Sequence, residues 1–219
     1  SAASDVYKRQ AFSFLKAIKP FIRIGYKEFT QDKSAFNSAM SYTLKRAVTG
    51  SGKEIKIDFD RALVSMGTLM PIFEGAATVS NHQMTFNWKD NSGMGNAERT
   101  DIAMVLVYNK DREAAVYDTE AALRSDCHAG LQLPEDWQDD ELVAYLSFCS
   151  TDGNCVANSI CLPISVIEIP EEEIDVQTES IDTTHKRILP DKRKVHQSRI
   201  TVHSLSAPPN EIRTYRCET

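Results

Sequence analysis

A chain of 219 residues can form one domain or two small ones, and 42% hydrophobic with 26% charged residues is ordinary for a globular protein. The longest apolar run, residues 102–108, is too short to cross a bilayer, and no secretory signal is visible, so no membrane span is expected. The net charge of −6 is unevenly distributed. Residues 11–53 carry eight Lys or Arg against two Asp or Glu, whereas residues 54–169 carry seven against nineteen. We interpret the two stretches as electrostatically complementary parts of one molecule.

Residues 1–10 (SAASDVYKRQ) resemble the in-frame translation of a transposase sequencing adapter. We predict that they form an artefact leader and that the native N-terminus is missing, and we exclude them from the fold prediction. The alternative is a native polar leader.

Residues 11–53 are predicted to form a helical hairpin. Pro20 lacks an amide hydrogen, so it should kink the first helix or restart it at a first-turn position. Ser34 is placed to cap the second helix. Apolar residues then recur every fourth position and predict one packed stripe, formed by Phe36, Met40, Leu44 and Val48.

The basic residues of this hairpin could bind nucleic acid only if they shared one face. Their scattered spacing argues against such a surface, and we do not expect nucleic acid as a partner. The residues concerned are Lys16, Lys19, Arg23, Lys27, Lys45 and Arg46.

Residues 54–169 are predicted to form a β-sandwich domain, because the apolar period changes from helical to two. Met84, Phe86 and Trp88 alternate with polar residues, so Trp88 should lie in the core. Residues 102–108 are apolar at every position, which indicates a central strand covered on both faces. About seven short strands with this spacing predict a mainly β fold, an immunoglobulin-like or fibronectin type III-like sandwich.

Residues 170–219 show no apolar periodicity. Six acidic and no basic residues occur in 171–182, and six basic residues with one Asp follow in 186–199. This composition predicts a disordered tail, or sequence that is not native to the protein.

The cysteines indicate neither a zinc site nor a disulfide framework. Five are present and no C-x-x-C occurs. Cys149 and Cys155 flank a turn and could form a disulfide, although we favour free thiols, since an odd count fits a reducing compartment. The compartment stays unknown from the sequence; because no signal peptide is visible and the native N-terminus is expected to be missing, a cytoplasmic or virion-associated location is favoured.

Two stretches contain residue types that could form a binding site. Residues 90–96 (DNSGMGN) offer oxygen ligands at alternate positions, as calcium requires, but Met94 occupies a ligand position and no closing Glu follows. The second stretch is an acidic corner around Trp137, which could stack on a sugar beside paired carboxylates. Its candidate ligand residues are Trp137, Asp136, Asp139 and Asp140, and the alternative is a solvated corner in which the ring covers the sandwich edge. We assign no catalytic residue, no cofactor and no metal.

Several short sequence motifs, which we call the family phrases, resemble in their order and spacing the domain-of-unknown-function family 6266, which is common in Bacteroidota. The resemblance covers residues 11–168, and the family has no assigned activity, so it implies no catalytic residue. The phrases are residues 21–27 (FIRIGYK), 34–42 (SAFNSAMSY), 88–93 (WKDNSG), 95–97 (GNA), 105–109 (VLVYN) and 152–159 (DGNCVANS).

Two functional hypotheses follow. The first is a non-enzymatic binding or structural module, with a protein partner or self-assembly and a role in a virion, a mobile element or surface assembly; this rests on analogy of fold. The second is a carbohydrate-binding or hydrolytic protein that uses the Trp137 corner, and it requires an exposed Trp137 ring.

Overall fold

The computed structural model describes residues 2–167. The tail predicted to be disordered, residues 170–219, lies outside the described residues. Residues predicted to form an artefact leader fall largely within the first helix, and their origin stays a prediction.

The N-terminal part contains three helices, because the first predicted helix is interrupted at Ile18 and then restarts: α1 (Ala2–Ala17), α2 (Lys19–Gly25) and α3 (Ala35–Arg46). Pro20 lies in the first turn of α2, where it restarts the helix as one of the two predicted outcomes. The predicted cap of α3 is confirmed, because the Asn37 amide donates to Ser34 Oγ at 3.1 Å.

The packing face of α3 is one position earlier than predicted. Ala35, Ala39 and Thr43 are the buried residues, whereas Phe36 and Met40 of the predicted stripe are half-buried against the same core. Small side chains on the inner face allow helices to approach closely, so larger residues are displaced to the rim of the contact. A period-four pattern alone does not distinguish these two rows.

Within residues 2–167 the fold is mainly β, with two four-stranded sheets and one short hairpin. The first sheet has the order β10-β3-β4-β7, and the second has the order β6-β5-β8-β9. The strands, in chain order, are β1 (Val48–Thr49), β2 (Lys56–Ile57), β3 (Gly75–Ser80), β4 (Gln83–Trp88), β5 (Ile102–Asn109), β6 (Ala114–Leu123), β7 (His128–Gln132), β8 (Leu142–Cys149), β9 (Ile160–Leu162) and β10 (Ile164–Val166).

Three layers explain why β5 is apolar from Ile102 to Tyr108. Its even-numbered residues, such as Leu106, belong to a core shared with the helices. Its odd-numbered residues, such as Val105 and Val107, belong to a second core between the two sheets. Strand side chains alternate between faces, so a strand covered on both sides must be apolar throughout. The predicted doubly covered strand is therefore confirmed, and the helical layer supplies one of its two covers.

Trp88 lies in the intersheet core, as predicted, with 3% of its surface exposed. Its ring packs edge-on against Phe148, with centroids 5.5 Å apart. After β9 the chain crosses at Pro163 to the other sheet, where β10 pairs parallel to β3. The finer immunoglobulin-like or fibronectin type III-like assignment stays a prediction. Within residues 2–167 no helix has the length and apolar character that a membrane crossing requires.

Candidate functional site: a groove beside the helical layer

A cavity of about 700 Å³ opens where the helical layer, the β1–β2 hairpin and the ends of β5 and β8 meet. This volume lies in the range of small-molecule and side-chain binding sites. We call it the groove. It is lined by Gln10, Thr49, Lys56, Ile57, Asp58, Phe59, Asp60, Tyr108, Lys110, Glu113, Glu141, Leu142, Val143, Cys161, Leu162 and Ile164.

Aromatic rings form one wall of the groove. Phe59 stacks on Tyr108 with ring centroids 5.5 Å apart, and Phe14 of α1 meets Tyr108 edge-on at 4.8 Å. Tyr145, next to this cluster, donates its hydroxyl to the Phe59 carbonyl at 2.7 Å. Two bonded or stacked neighbours therefore fix Phe59, which makes this wall of the groove preformed.

Tyr108 is only 3% exposed, yet its hydroxyl makes no hydrogen bond to any described residue. Buried Tyr hydroxyls usually find a partner, and those of Tyr26 and Tyr145 do so here. Among the residues described, Thr43 Oγ1 is the one fully enclosed side-chain polar atom without a partner. The Tyr108 oxygen is therefore not fully enclosed, and it opens toward the groove that the residue lines.

The groove has an acidic rim. Glu141 forms an ion pair with Lys110, whose ammonium also lies 5.3 Å from the centroid of the Phe59 ring. Asp58, Asp60 and Glu113 form no ion pair with another described residue. Four carboxylates thus line the groove against two ammonium groups, so its potential is negative.

Shifted pKa values of neighbouring groups agree with a negative potential. Burial and then the Glu113 charge raise the pKa of Tyr108 to about 12. Burial, a hydrogen bond to Asp60 and the charge of that carboxylate raise the pKa of the Cys161 thiol to about 12. A thiol in this environment stays protonated at neutral pH, and the thiolate is the reactive form. Cys161 therefore has the properties of a lining residue and not of a nucleophile.

The acidic corner predicted as a candidate ligand site contains a buried ring and two carboxylates that pair with one arginine. Trp137 is 5% exposed and packs into the intersheet core. Arg112 binds both neighbouring carboxylates, with Nη1 2.6 Å from Asp136 and Nε bonded to Asp140. Asp140 also accepts from the Asn109 side chain at 2.7 Å, and this bond, followed by Arg112, lowers the pKa of Asp140. Asp139 is exposed and does not enclose the corner further.

The loop of residues 90–96 holds a neighbouring chain segment. Asn91 donates to the Pro71 carbonyl at 2.8 Å, and the Asn96 side chain accepts from the Met70 amide at 2.8 Å. Asp90 accepts from both the amide and the hydroxyl of Ser92, which closes the turn. These hydrogen bonds explain why the loop is polar, which the sequence alone did not explain.

Sequence reasoning missed the most deeply buried charge, Arg124, which is 0% exposed. Its guanidinium bonds Asp101 at 3.0 Å, Asn91 at 2.7 Å and the Met70 carbonyl at 2.9 Å, and lies 4.2 Å from the Phe148 ring centroid. Desolvation lowers the pKa of Arg124 in spite of the Asp101 carboxylate.

Glu28 was also missed, although it follows the phrase FIRIGYK directly. Its carboxylate accepts from the Thr68 amide and hydroxyl at 3.0 and 2.6 Å and from the Val156 amide at 3.0 Å. Partial burial opposes ionisation, but these bonds and the Lys27 charge outweigh it, so the pKa of Glu28 is lowered. Gly67 lies against this carboxylate, where a Cβ would meet the Val156 carbonyl at 2.3 Å. Glu28 thus ties the helical layer to the hairpin that follows β8.

The remaining sequence candidates lie apart from the groove. Cys149 and Cys155 are free thiols, as favoured. Lys19 and Arg23 line one pocket of the helical layer, and Lys45 and Arg46 line another. Lys27 donates to the Gly153 carbonyl.

A sequence model for a family of unknown function, DUF6266, matches residues 5–163. This chain belongs to the DUF6266 family. The match confirms the resemblance inferred from the six phrases, and it begins within residues 1–10. No curated protein and no solved structure matches the chain. DUF6266 membership therefore carries no activity, substrate or partner, and function has to be argued from the geometry.

Proposed function

We propose that this chain is a non-enzymatic binding or structural module, a buttressed β-sandwich that recognises a protein partner or a second copy through the groove. A role in a virion, a mobile element or surface assembly is part of this proposal. The carbohydrate-binding alternative required an exposed Trp137 ring, and the burial of that ring gives the alternative no support.

The proposal rests on one observation: the polar residues of the family phrases hold the fold together. Polar side chains in or beside these phrases bond to the irregular segment 64–71, which passes between the helices and the sandwich. Ser159 accepts from the Val64 amide, Asn158 from the Gly67 amide and Asn96 from the Met70 amide. A phrase that encodes a catalytic centre would instead direct such groups into a cleft.

The groove is a better candidate for binding than the open edge of β6. That edge carries the exposed carboxylates Asp118 and Glu120, and the register of β6 shifts opposite Ala103 and Val105. Charged side chains and bulges are features that prevent strand addition at an edge. The groove has no such protection and combines preformed aromatic surface with charge, as interaction sites commonly do.

The test compares the full chain with two charge-reversed variants. Asp60→Lys with Glu113→Lys changes the groove, and Glu98→Lys with Glu120→Lys makes the same change at exposed positions outside it. We expect concentration-dependent association by sedimentation velocity, or saturable binding of a co-purified partner, that only the groove variant reduces. Turnover of chromogenic esters, phosphates or glycosides that only the groove variant loses would refute a non-enzymatic function.

A further inference from the structure

The groove combines an aromatic wall, an acidic rim and one phenol without a partner, and each feature restricts the ligand. This inference rests on the proposed binding function and specifies the chemistry that is recognised. We propose that the groove binds an organic cation, an ammonium or guanidinium group on an apolar stem, of the kind that lysine and arginine side chains carry.

The charge of the ligand follows from the charged residues that line the groove. Asp58, Asp60 and Glu113 line the groove without an ion pair among the described residues, and Lys56 is the one lining cation that is not already paired with a carboxylate. An anionic ligand would add repulsion to this excess, whereas a cation would relieve it.

The chemical type of the cation follows from the aromatic wall. The Lys110 ammonium lies 5.3 Å from the Phe59 ring centroid, so this aromatic surface already makes a cation–π contact within the protein. Ile57 and Val143 provide buried apolar surface nearby, where an alkyl stem could pack. A bare inorganic cation would use neither surface, and no group of three His, Cys, Asp or Glu suited to a metal occurs within residues 2–167.

Tyr108 supplies the hydrogen bond that independently points to a ligand. Its hydroxyl is attached to a 97% buried side chain, lines the groove and lacks a partner in the described structure. The phenol oxygen can accept an N–H from an ammonium or guanidinium group. Binding of such a group would satisfy the hydroxyl and would not break any bond within the protein.

This arrangement allows a substitution that separates binding from folding. Tyr108→Phe removes a hydroxyl that holds nothing in the scaffold, so the melting temperature should be unchanged. A charge-assisted hydrogen bond is lost on binding, and Kd for the cation should rise about tenfold. Tyr26→Phe is the matched control, because it removes a hydroxyl that bonds the Leu63 carbonyl outside the groove. It should lower the melting temperature and leave Kd unchanged.

Binding to the full chain is measured by titration calorimetry and by NMR chemical-shift changes. The probes are agmatine, the tripeptide Gly-Arg-Gly with blocked ends, its citrulline counterpart, and glutarate as an anion. We expect the two cations to bind more weakly to Tyr108→Phe and Asp60→Asn, and equally well to Glu98→Gln. Stronger binding of the blocked tripeptide identifies a protein segment as the source of the cation, and stronger binding of agmatine identifies a free amine.

Three results would overturn the inference. They are absence of binding by both cations, equal binding of citrulline and arginine peptides, or preference for glutarate. Groove-dependent association without cation binding would remove this inference and leave the proposed function in place. Groove-dependent turnover of a substrate would remove the proposed function itself.

Discussion

Replacing Arg124 with methionine tests how the sandwich tolerates a buried charge. The substitution removes the guanidinium from Asp101, which is 1% exposed, and from the Asn91 oxygen and the Met70 carbonyl. Removal of one partner from a buried ion pair destabilises proteins by about 3–5 kcal/mol, because the other charge stays buried without compensation. Typical domains have a free energy of unfolding of about 5–15 kcal/mol, so this loss should be a large fraction of the total.

The measurement is urea unfolding of a double-mutant cycle that also contains Asp101→Asn and the double variant. Each single variant leaves an unpaired buried group, whereas the double variant leaves neither charge. The double variant should therefore be more stable than the sum of the single losses predicts, by about 1–3 kcal/mol. Arg112→Met is the control, because Arg112 also pairs with acidic side chains but is exposed, and its loss should be far smaller. Equal effects at the two arginines would refute the importance of burial.

Three further predictions concern the helical layer. Thr43→Val removes the enclosed, unpartnered hydroxyl and should raise the free energy of unfolding by ~1 kcal/mol in urea titrations. Gly67→Ala should lower it by ~1–3 kcal/mol, since its Cβ would overlap the Val156 carbonyl; an unchanged midpoint would contradict the close contact. Glu28 has a lowered pKa in the folded state, so its stabilisation is complete above the usual value of 4.5 and is lost as pH falls through the folded value. Glu28→Gln should flatten the pH dependence of the melting temperature in that acidic range, and an unaltered profile would contradict this assignment.

Local patterns predicted the elements more reliably than they predicted their contacts. Pro20, the Ser34 cap and the apolar residues of β5 each report on a few neighbouring positions, and all three predictions were confirmed. The buried face of α3 was missed because Ala39 and Thr43 are too small or too polar to stand out beside Phe36 and Met40. The sequence left open whether the first helix would kink or restart at Pro20, since both outcomes have the same sequence pattern.

The buried polar residues could not be predicted because their partners are distant in the chain. Arg124 follows a strand in a short turn, which resembles an exposed position, while its partners Asp101 and Met70 are 23 and 54 residues away in sequence. Glu28 bonds Val156 across 128 residues. Neither residue has a periodic neighbour that would mark it as buried. The one available signal was proximity to a family phrase, which does not say what the residue contacts.

The polar phrases and the groove therefore have different physical roles. Asn91, Asn96 and Glu28 satisfy backbone groups of a segment that has no strand or helix to bond its own amides, so their polarity is required by folding alone. The Tyr108 hydroxyl makes no hydrogen bond within the described fold, and Glu113 and Asp60 form no ion pair there, although Asp60 bonds the Cys161 thiol. A scaffold that satisfies most of its buried polar groups has no structural need for an unbonded phenol beside an excess of carboxylates. That contrast supports the proposal that recognition occurs in the groove and not in the loop of residues 90–96.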